Sequence, residues 1–200
     1  DVYKRQLPNY YPEVYENKPF LSNKEYIDIG CFGAIRLLKN HLVQAFGAIE
    51  FAERKNKKLR FHVNAGRIEM QGEPSINNLK ALFNQIQAKG HELINHQWCP
   101  RNEFLSLCKE MDIGLQVSFS ETFNIVAADL ISQGVPLVGS TEIPWLPKVF
   151  CANPNDSKDV ANKLEYAYRY PQIHNKICQW SLTRYVSKAS KIWINFFNGS

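Results

Sequence analysis

Residues 112–139 have the sequence DIGLQVSFSETFNIVAADLISQGVPLVG, and this stretch decides the fold class. Apolar side chains alternate with other residues from Asp112 to Phe119, which predicts a strand. Residues from Ile125 to Gln133 are apolar on nearly all sides, which predicts a helix buried in the protein. A Gly-Val-Pro sequence ends this helix, and Pro136–Gly139 is predicted as another strand. The short connections predict parallel strands joined by a right-handed crossover.

The alternation of strands and helices continues on both sides of this stretch. Further strands are predicted at Tyr26–Phe32, Leu59–Asn64, His91–Asn95 and, as a short last strand, Val149–Ala152. Further helices are predicted from Asn40 to Lys55, from Ser75 to Gly90, over Phe104–Met111, and at Ser157–Arg169 and Ile177–Phe197. The pattern predicts an α/β fold, a doubly wound Rossmann-like parallel sheet.

One domain is predicted over residues 26–200. Residues 1–25 contain three prolines among tyrosines and asparagines, which is typical of a linker. We interpret residues 1–25 as a connection from an upstream segment, and we set aside residues 1–6 as a non-native remnant.

Composition and charge exclude several classes of protein. With 44% hydrophobic and 22% charged residues, the chain resembles ordinary globular proteins. Its net charge of +5 is too small to favour nucleic acid, and suits phosphate-bearing ligands or an anionic membrane surface equally. No apolar run approaches the roughly 20 residues that span a bilayer, and no secretory signal is recognised. We therefore expect a cytoplasmic protein, which could also bind to the inner surface of the membrane.

The cysteines are scattered along the chain, which predicts reduced thiols without a zinc site or disulfides. They are Cys31, Cys99, Cys108, Cys151 and Cys178.

Ligands of such sheets bind at the carboxyl ends of the strands. After the first strand comes Gly33-Ala-Ile-Arg36-Leu-Leu-Lys39-Asn40, followed by a helix. A glycine, two cations and a helix start favour a phosphate site there. The alternative is a tight turn with two surface cations.

Two carboxylates follow the strand that begins at Asp112. Glu121 lies on the turn, and Asp129 lies eight residues later inside the apolar helix. A buried carboxylate is costly unless a partner satisfies it, and that partner could be a ligand hydroxyl, a backbone N–H or an arginine. Glu121 could also be an acid that complements the helix dipole.

Four segments of the chain resemble the motifs of retaining glycosyltransferases with the GT-B fold, family 4 in particular (glycosyl transferases group 1). Residues 117–129 resemble the E-x7-E region, and Gly134–Ser140 resembles the G-x-P-V-V-x-S sequence that follows it. Gly33–Asn40 is similar to the G-R-x-x-x-x-K-G/N phosphate turn, and Trp98–Glu103 to a G-x-V-P-x-E stretch. The resemblance covers residues 24–197, which is the C-terminal, donor-binding lobe of such enzymes.

The resemblance implies a role for each matching residue. Lys39 would contact the donor diphosphate and stabilise the leaving group, and Glu121 would hold hydroxyls of the transferred sugar. Backbone N–H groups of Phe123 and Asn124 would bind the diphosphate. Asp129 would accept hydrogen bonds from the ribose. Glu121 and Lys39 form the implied catalytic pair, and the implied donor-binding set is Gly33, Arg36, Lys39, Trp98, Glu121, Thr122, Phe123, Asn124 and Asp129, with Trp98 against the base.

The chain departs from the family pattern at several positions. Ala34 replaces the arginine of the phosphate turn, and Arg36 is the candidate substitute. Thr122 and Asn124 replace two glycines that allow the backbone close to phosphate, and of the two Asn124 is the better suited to an unusual backbone conformation. Asp129 replaces a glutamate and is shorter by one methylene.

The implied enzyme transfers a sugar from a nucleotide sugar to a glycan, lipid or protein acceptor, with no cofactor and no metal. Its acceptor would bind in an N-terminal lobe for which residues 1–25 are too few, so we expect this chain to bind donor weakly and to transfer nothing by itself. Two alternatives are a sugar-nucleotide epimerase-like GT-B enzyme and a degenerate lobe that serves as an interaction module.

Overall fold

The computed structural model describes residues 7–12, 14–19 and 24–198. In chain order the strands are β1 (Tyr26–Gly30), β2 (Lys58–Val63), β3 (Glu92–Asn95), β4 (Ile113–Gln116) and β5 (Leu137–Gly139). They form one parallel sheet in the order β3-β2-β1-β4-β5. The helices are α1 (His41–Arg54), α2 (Glu73–Gln85), α3 (Arg101–Glu110), α4 (Ile125–Ser132), α5 (Ser157–Arg169) and α6 (Pro171–Phe197). The predicted doubly wound sheet is confirmed.

The apolar core has two parts, one on each face of the sheet. The first part joins the strands to α1, α2 and α5, and the second joins them to α3, α4 and α6. Neighbouring residues of one strand point to opposite faces. In β5, Leu137 belongs to the second part and Val138 to the first, and both are fully buried. The sheet is therefore a buried middle layer, as parallel sheets generally are.

Strand boundaries differ from the sequence prediction mainly at the carboxyl ends. β1 ends at Gly30 rather than Phe32, and β4 ends at Gln116 rather than Phe119. Val117 and Ser118 have no exposed surface, so the chain stays buried after the ladder hydrogen bonds have stopped. The chain leaves the sheet at these points to form the loops of the candidate site.

Three other predicted boundaries are wrong. Ser75 lies inside α2, which begins at Glu73 with Pro74 in its first turn. The helix α6 begins at Pro171, six residues before the predicted Ile177. Proline suits the first turn of a helix because it has no N–H that would be left unpaired there. The predicted strand Val149–Ala152 is a 3₁₀ turn (Lys148–Phe150) followed by a single bridge between Cys151 and Gly139.

The segment predicted as a linker packs against α4 and α6 where the structure describes it. Tyr11 is buried, with 3% of its surface exposed. The indole N–H of Trp193 donates to the carbonyl of Pro8 at 2.9 Å, and the N–H of Glu16 donates to the carbonyl of Ser132 at 2.6 Å. Residues 1–6, interpreted as non-native, lie outside the described residues.

Candidate functional site

Two loops meet where the sheet reverses its order of growth, between β1 and β4. One loop follows β1 and contains Lys39, and the other follows β4 and contains Glu121. The N–H of Phe119 donates to the carbonyl of Leu38 at 2.9 Å and joins the two loops. In doubly wound folds this crevice is the usual place for a ligand.

Lys39 and Glu121 form an ion pair across this crevice. The Lys39 amine donates to Glu121 Oε1, and only 10% and 9% of the two side chains are exposed. The backbone of Lys39 is held by Gln44, whose Nε2 donates to the Lys39 carbonyl at 2.6 Å. Asn40 has the left-handed backbone conformation (φ 58°), and its amide donates to the Pro154 carbonyl at 2.7 Å. The two predicted catalytic residues are therefore in contact, and hydrogen bonds hold the backbone of the loop that contains Lys39.

The turn before α4 is held by Asn124. This residue caps the helix with φ 56°, and its Oδ1 accepts from the N–H of Ala127 at 2.9 Å. Its Nδ2 donates to Gln116 Oε1 at 3.1 Å. Asparagine tolerates this left-handed conformation better than most residues, which explains how it can replace glycine.

Two backbone N–H groups of this turn form no hydrogen bond within the described part of the chain. They are the N–H groups of Phe123 and Asn124. The Phe123 ring is buried against Tyr185 at a centroid distance of 5.4 Å, while Thr122 is exposed. Free N–H groups at a helix start can bind an anion.

A cavity of about 250 Å³ lies beside this turn. Its walls contain Gly33, Trp98 and Asp129, three of the predicted donor-binding residues. Gly33 has φ 111°, a conformation that favours glycine, and its N–H donates to Asn64 Oδ1 at 3.1 Å. Trp98 is 55% exposed at the cavity mouth. The remaining lining residues are Asn64, Cys99, Arg101, Phe104, Ile125 and Val126.

Asp129 is satisfied by side chains that the sequence did not indicate as its partners. Its Oδ1 accepts from Arg101 Nη2 at 2.7 Å and from the Tyr11 hydroxyl at 2.7 Å, and its Oδ2 accepts from Arg101 Nη1 at 3.2 Å. Burial raises the pKa of Asp129, while Tyr11 and Arg101 act in the opposite direction. The arginine alternative thus accounts for the burial of this carboxylate, and ribose binding at Asp129 stays a prediction.

Arg36 lies outside the cavity that contains Asp129. Its Nε is 3.7 Å from Glu69 Oε2. With Lys39 it lines a second cavity of about 320 Å³, whose walls also contain Leu37, Leu38, Met70 and Ser120. Arg36 is thus close to the loop of Lys39, and it shares the Glu69 carboxylate with Arg67.

Two further observations concern metals and membranes. In residues 7–12, 14–19 and 24–198, no group of three or more His, Cys, Asp and Glu side chains is arranged to hold a metal ion. None of the helices in these ranges is both long enough and apolar enough to cross a lipid bilayer.

Several solved structures that share this fold are glycosyltransferases. A UDP-forming alpha,alpha-trehalose-phosphate synthase from Burkholderia xenovorans is 16% identical with a TM-score of 0.71, and the match covers 88% of this chain and 44% of that one. The corresponding synthase from Burkholderia vietnamiensis is 14% identical, with a TM-score of 0.69 and 88% and 46% covered. The catalytic domain of a cholesterol-alpha-glucosyltransferase from Helicobacter pylori is 16% identical, with a TM-score of 0.61 and 83% and 98% covered.

These similarities define the class of fold. The chain has the fold of one lobe of a GT-B glycosyltransferase, as the resemblance implied. It spans less than half the length of the trehalose-phosphate synthases that it matches. No family model and no curated protein sequence matches the chain.

Proposed function

We propose that this chain is the donor-binding lobe of a retaining, family 4-like glycosyltransferase. The observation that carries the proposal is the buried ion pair of Lys39 and Glu121 at the crevice between β1 and β4. The same two loops lead to Gly33 and Ile125, which line the cavity that contains Asp129. The fold shared with glycosyltransferase structures supports it independently.

In this proposal the ion pair exchanges partners when the donor binds. Cleavage of the bond between sugar and diphosphate leaves the bonding electrons, and negative charge, on the departing phosphate oxygen. The Lys39 amine would stabilise that charge, and the N–H groups of Phe123 and Asn124 would bind the diphosphate. Glu121, released from Lys39, would accept hydrogen bonds from sugar hydroxyls. Positive charge supplied in this way requires no metal ion and no cofactor.

The nucleoside would occupy the cavity of about 250 Å³. Trp98 offers an exposed aromatic face for the base, and Asp129 offers a carboxylate for the ribose. The trehalose-phosphate synthases that share the fold are described as UDP-forming, so uridine is the first base to test.

The acceptor would bind in a second lobe, and the chain described here covers 44% of the length of the Burkholderia xenovorans synthase. The acceptor class, glycan, lipid or protein, depends on that lobe. We propose that the lobe described here binds donor weakly and transfers nothing alone, and that the enzyme acts in the cytoplasm or at the inner membrane surface.

Calorimetric titration with UDP, GDP and ADP tests the proposal. The protein is titrated without metal and then with magnesium, and the titration is repeated on Lys39→Ala, Asp129→Ala and, as a control, the exposed Lys191→Ala. We expect one nucleotide to bind saturably, with no effect of magnesium, and binding to be lost in the first two variants but kept in the control.

Two results would contradict the proposal. If Lys39→Ala binds the nucleotide as tightly as the parent protein, the ion pair does not take part in nucleotide binding. An absence of nucleotide binding, both here and in the protein extended by its second lobe, would favour a degenerate interaction module, an alternative that Ala34 and Thr122 support because they replace family residues.

A further inference from the structure

We infer that Tyr11 and Arg101 are positioning residues that fix the Asp129 carboxylate for a ribose hydroxyl. This inference rests on the proposed function, because it concerns the nucleoside end of the same site. It assigns a function to the segment before β1, which the sequence suggested only as a linker.

The hydrogen bonds of Asp129 leave one acceptor position available. An ionised carboxylate has about four lone pairs directed at donors. Arg101 and Tyr11 occupy two of them on Oδ1, and Arg101 occupies one on Oδ2. Among the described residues no other group donates to this carboxylate. The remaining lone pair is on Oδ2, in the residue that forms part of the cavity wall.

Tyr11 and Arg101 both donate to Asp129 Oδ1, but they differ in their exposure to the cavity. Arg101 lines the cavity, and 49% of its side chain is exposed. Tyr11 is 3% exposed and is absent from the cavity lining, so it cannot itself contact a bound nucleoside. Its hydroxyl also lies 3.0 Å from Ser132 Oγ, one helical turn after Asp129. Tyr11 therefore acts on a ligand only indirectly, through Asp129 and through Arg101, whose Nη2 donates to the Tyr11 hydroxyl at 3.4 Å.

We expect the fixed orientation of the Asp129 carboxylate to strengthen the binding of a ribose hydroxyl. A carboxylate that rotates freely must lose that freedom when it accepts a bond from a ribose hydroxyl, and this loss weakens binding. Two donors on Oδ1 and a two-point contact with Arg101 remove the freedom in advance. The same hydrogen bonds also fix how far the carboxylate of Asp129 extends toward a ligand, because its side chain is one methylene shorter than that of glutamate.

The test compares UDP with its 2′,3′-dideoxy analogue in the parent protein and in Tyr11→Phe. GDP or ADP and their dideoxy analogues are used if one of them binds instead. We expect the preference for the ribose form to fall about fivefold to tenfold in Tyr11→Phe, which corresponds to about the net contribution of one ordinary hydrogen bond. Affinity for the dideoxy analogue should not change. Arg101→Gln should reduce the preference similarly, and Tyr10→Phe, at a 57% exposed tyrosine, should keep it.

The ratio separates positioning from a general effect on folding, because partial unfolding would lower both affinities together. An equal loss for the two nucleotides, or an unchanged preference in Tyr11→Phe, overturns the inference and leaves the proposed function standing. If Asp129→Ala keeps the ribose preference of the parent, the proposed role of Asp129 fails as well, and with it the inference.

Discussion

The amine of Lys39 donates to the carboxylate of Glu121 although 82 residues separate them in the chain, and both side chains are about nine-tenths buried. A buried charge without a partner strongly destabilises the folded protein, so each of these two charges depends on the other. We therefore expect Lys39→Met or Glu121→Leu alone to lower the free energy of unfolding by on the order of 3 kcal/mol. Urea unfolding measures this change.

The double variant Lys39→Met/Glu121→Leu provides the matched control for that expectation. It leaves no unpaired charge, so it should recover most of the stability that either single change removes. Single and double variants that lose additive amounts would show that the two charges do not interact.

Stability should fall as the pH falls below about 6, because two histidines are buried in the neutral form. Burial, with a smaller effect from the Lys39 charge, lowers the pKa of His41 to about 4, and burial lowers the pKa of His174 to about 3. The unfolded chain binds protons at these residues from a pH of about 6.5 downward. Between pH 6 and pH 4 it therefore binds more protons than the folded protein, and each histidine lowers the free energy of unfolding by up to about 1.4 kcal/mol per pH unit.

The variant His174→Gln tests the contribution of one histidine. Its unfolding free energy, measured by urea at pH values from 7 to 4.5, should depend on pH less steeply than that of the parent, by up to about 1.4 kcal/mol per pH unit. Comparison of the two slopes cancels the carboxylates that titrate in the same range. If the unfolding free energies of the parent and of His174→Gln change equally with pH, His174 is not held in the neutral form by burial.

The backbone conformation at Asn124 should decide which substitutions the turn accepts. With φ 56°, glycine fits without strain, whereas a β-branched residue is strained by about 1–2 kcal/mol. Asn124→Gly loses the cap bond to Ala127 but should cost only a few tenths of a kcal/mol for the cap itself, and Asn124→Val should cost clearly more. Thermal unfolding of the two variants gives the order, and a more stable Asn124→Val would contradict it.

Gly134→Ala should release the segment before β1. A Cβ at residue 134 would lie 2.8 Å from the backbone nitrogen of Lys18, and φ is 79°. Gly33→Ala is the matched control, since its φ is 111° but its Cβ would meet nothing nearer than 4.0 Å. Limited proteolysis should cut residues 7–19 faster in Gly134→Ala than in Gly33→Ala. Equal rates would show that the contact with Lys18 does not hold the segment.

The sequence predicted the fold well, because apolar periodicity and Gly-Pro breaks act locally. Each of the five strands lies where the pattern put it, and the two cores follow from which faces are apolar. Strand ends were less predictable. Val117 is as buried as the strand before it, and nothing in its side chain indicates that the ladder stops at Gln116.

The site was only partly predictable, for a related reason. The strand ends of the parallel sheet single out Lys39 and Glu121 separately, and the resemblance to retaining glycosyltransferases implies that they act as a pair. The partners of Asp129 could not be chosen, since Tyr11 is 118 residues away in a segment without regular structure. Arg101 was one of several possible partners for a buried acid, and only the packing of α3 beside α4 selects it.

The order of the strands also has a consequence for folding. The chain builds β1, β2 and β3 outward in one direction and returns to add β4 and β5 on the other side, so Lys39 and Glu121 belong to different halves of the sheet. Neither half alone contains the pair. A ligand held by both residues would therefore stabilise only the completed lobe and would give no advantage to a half-folded chain. Added nucleotide should accordingly sharpen the cooperativity of unfolding as well as raise its midpoint.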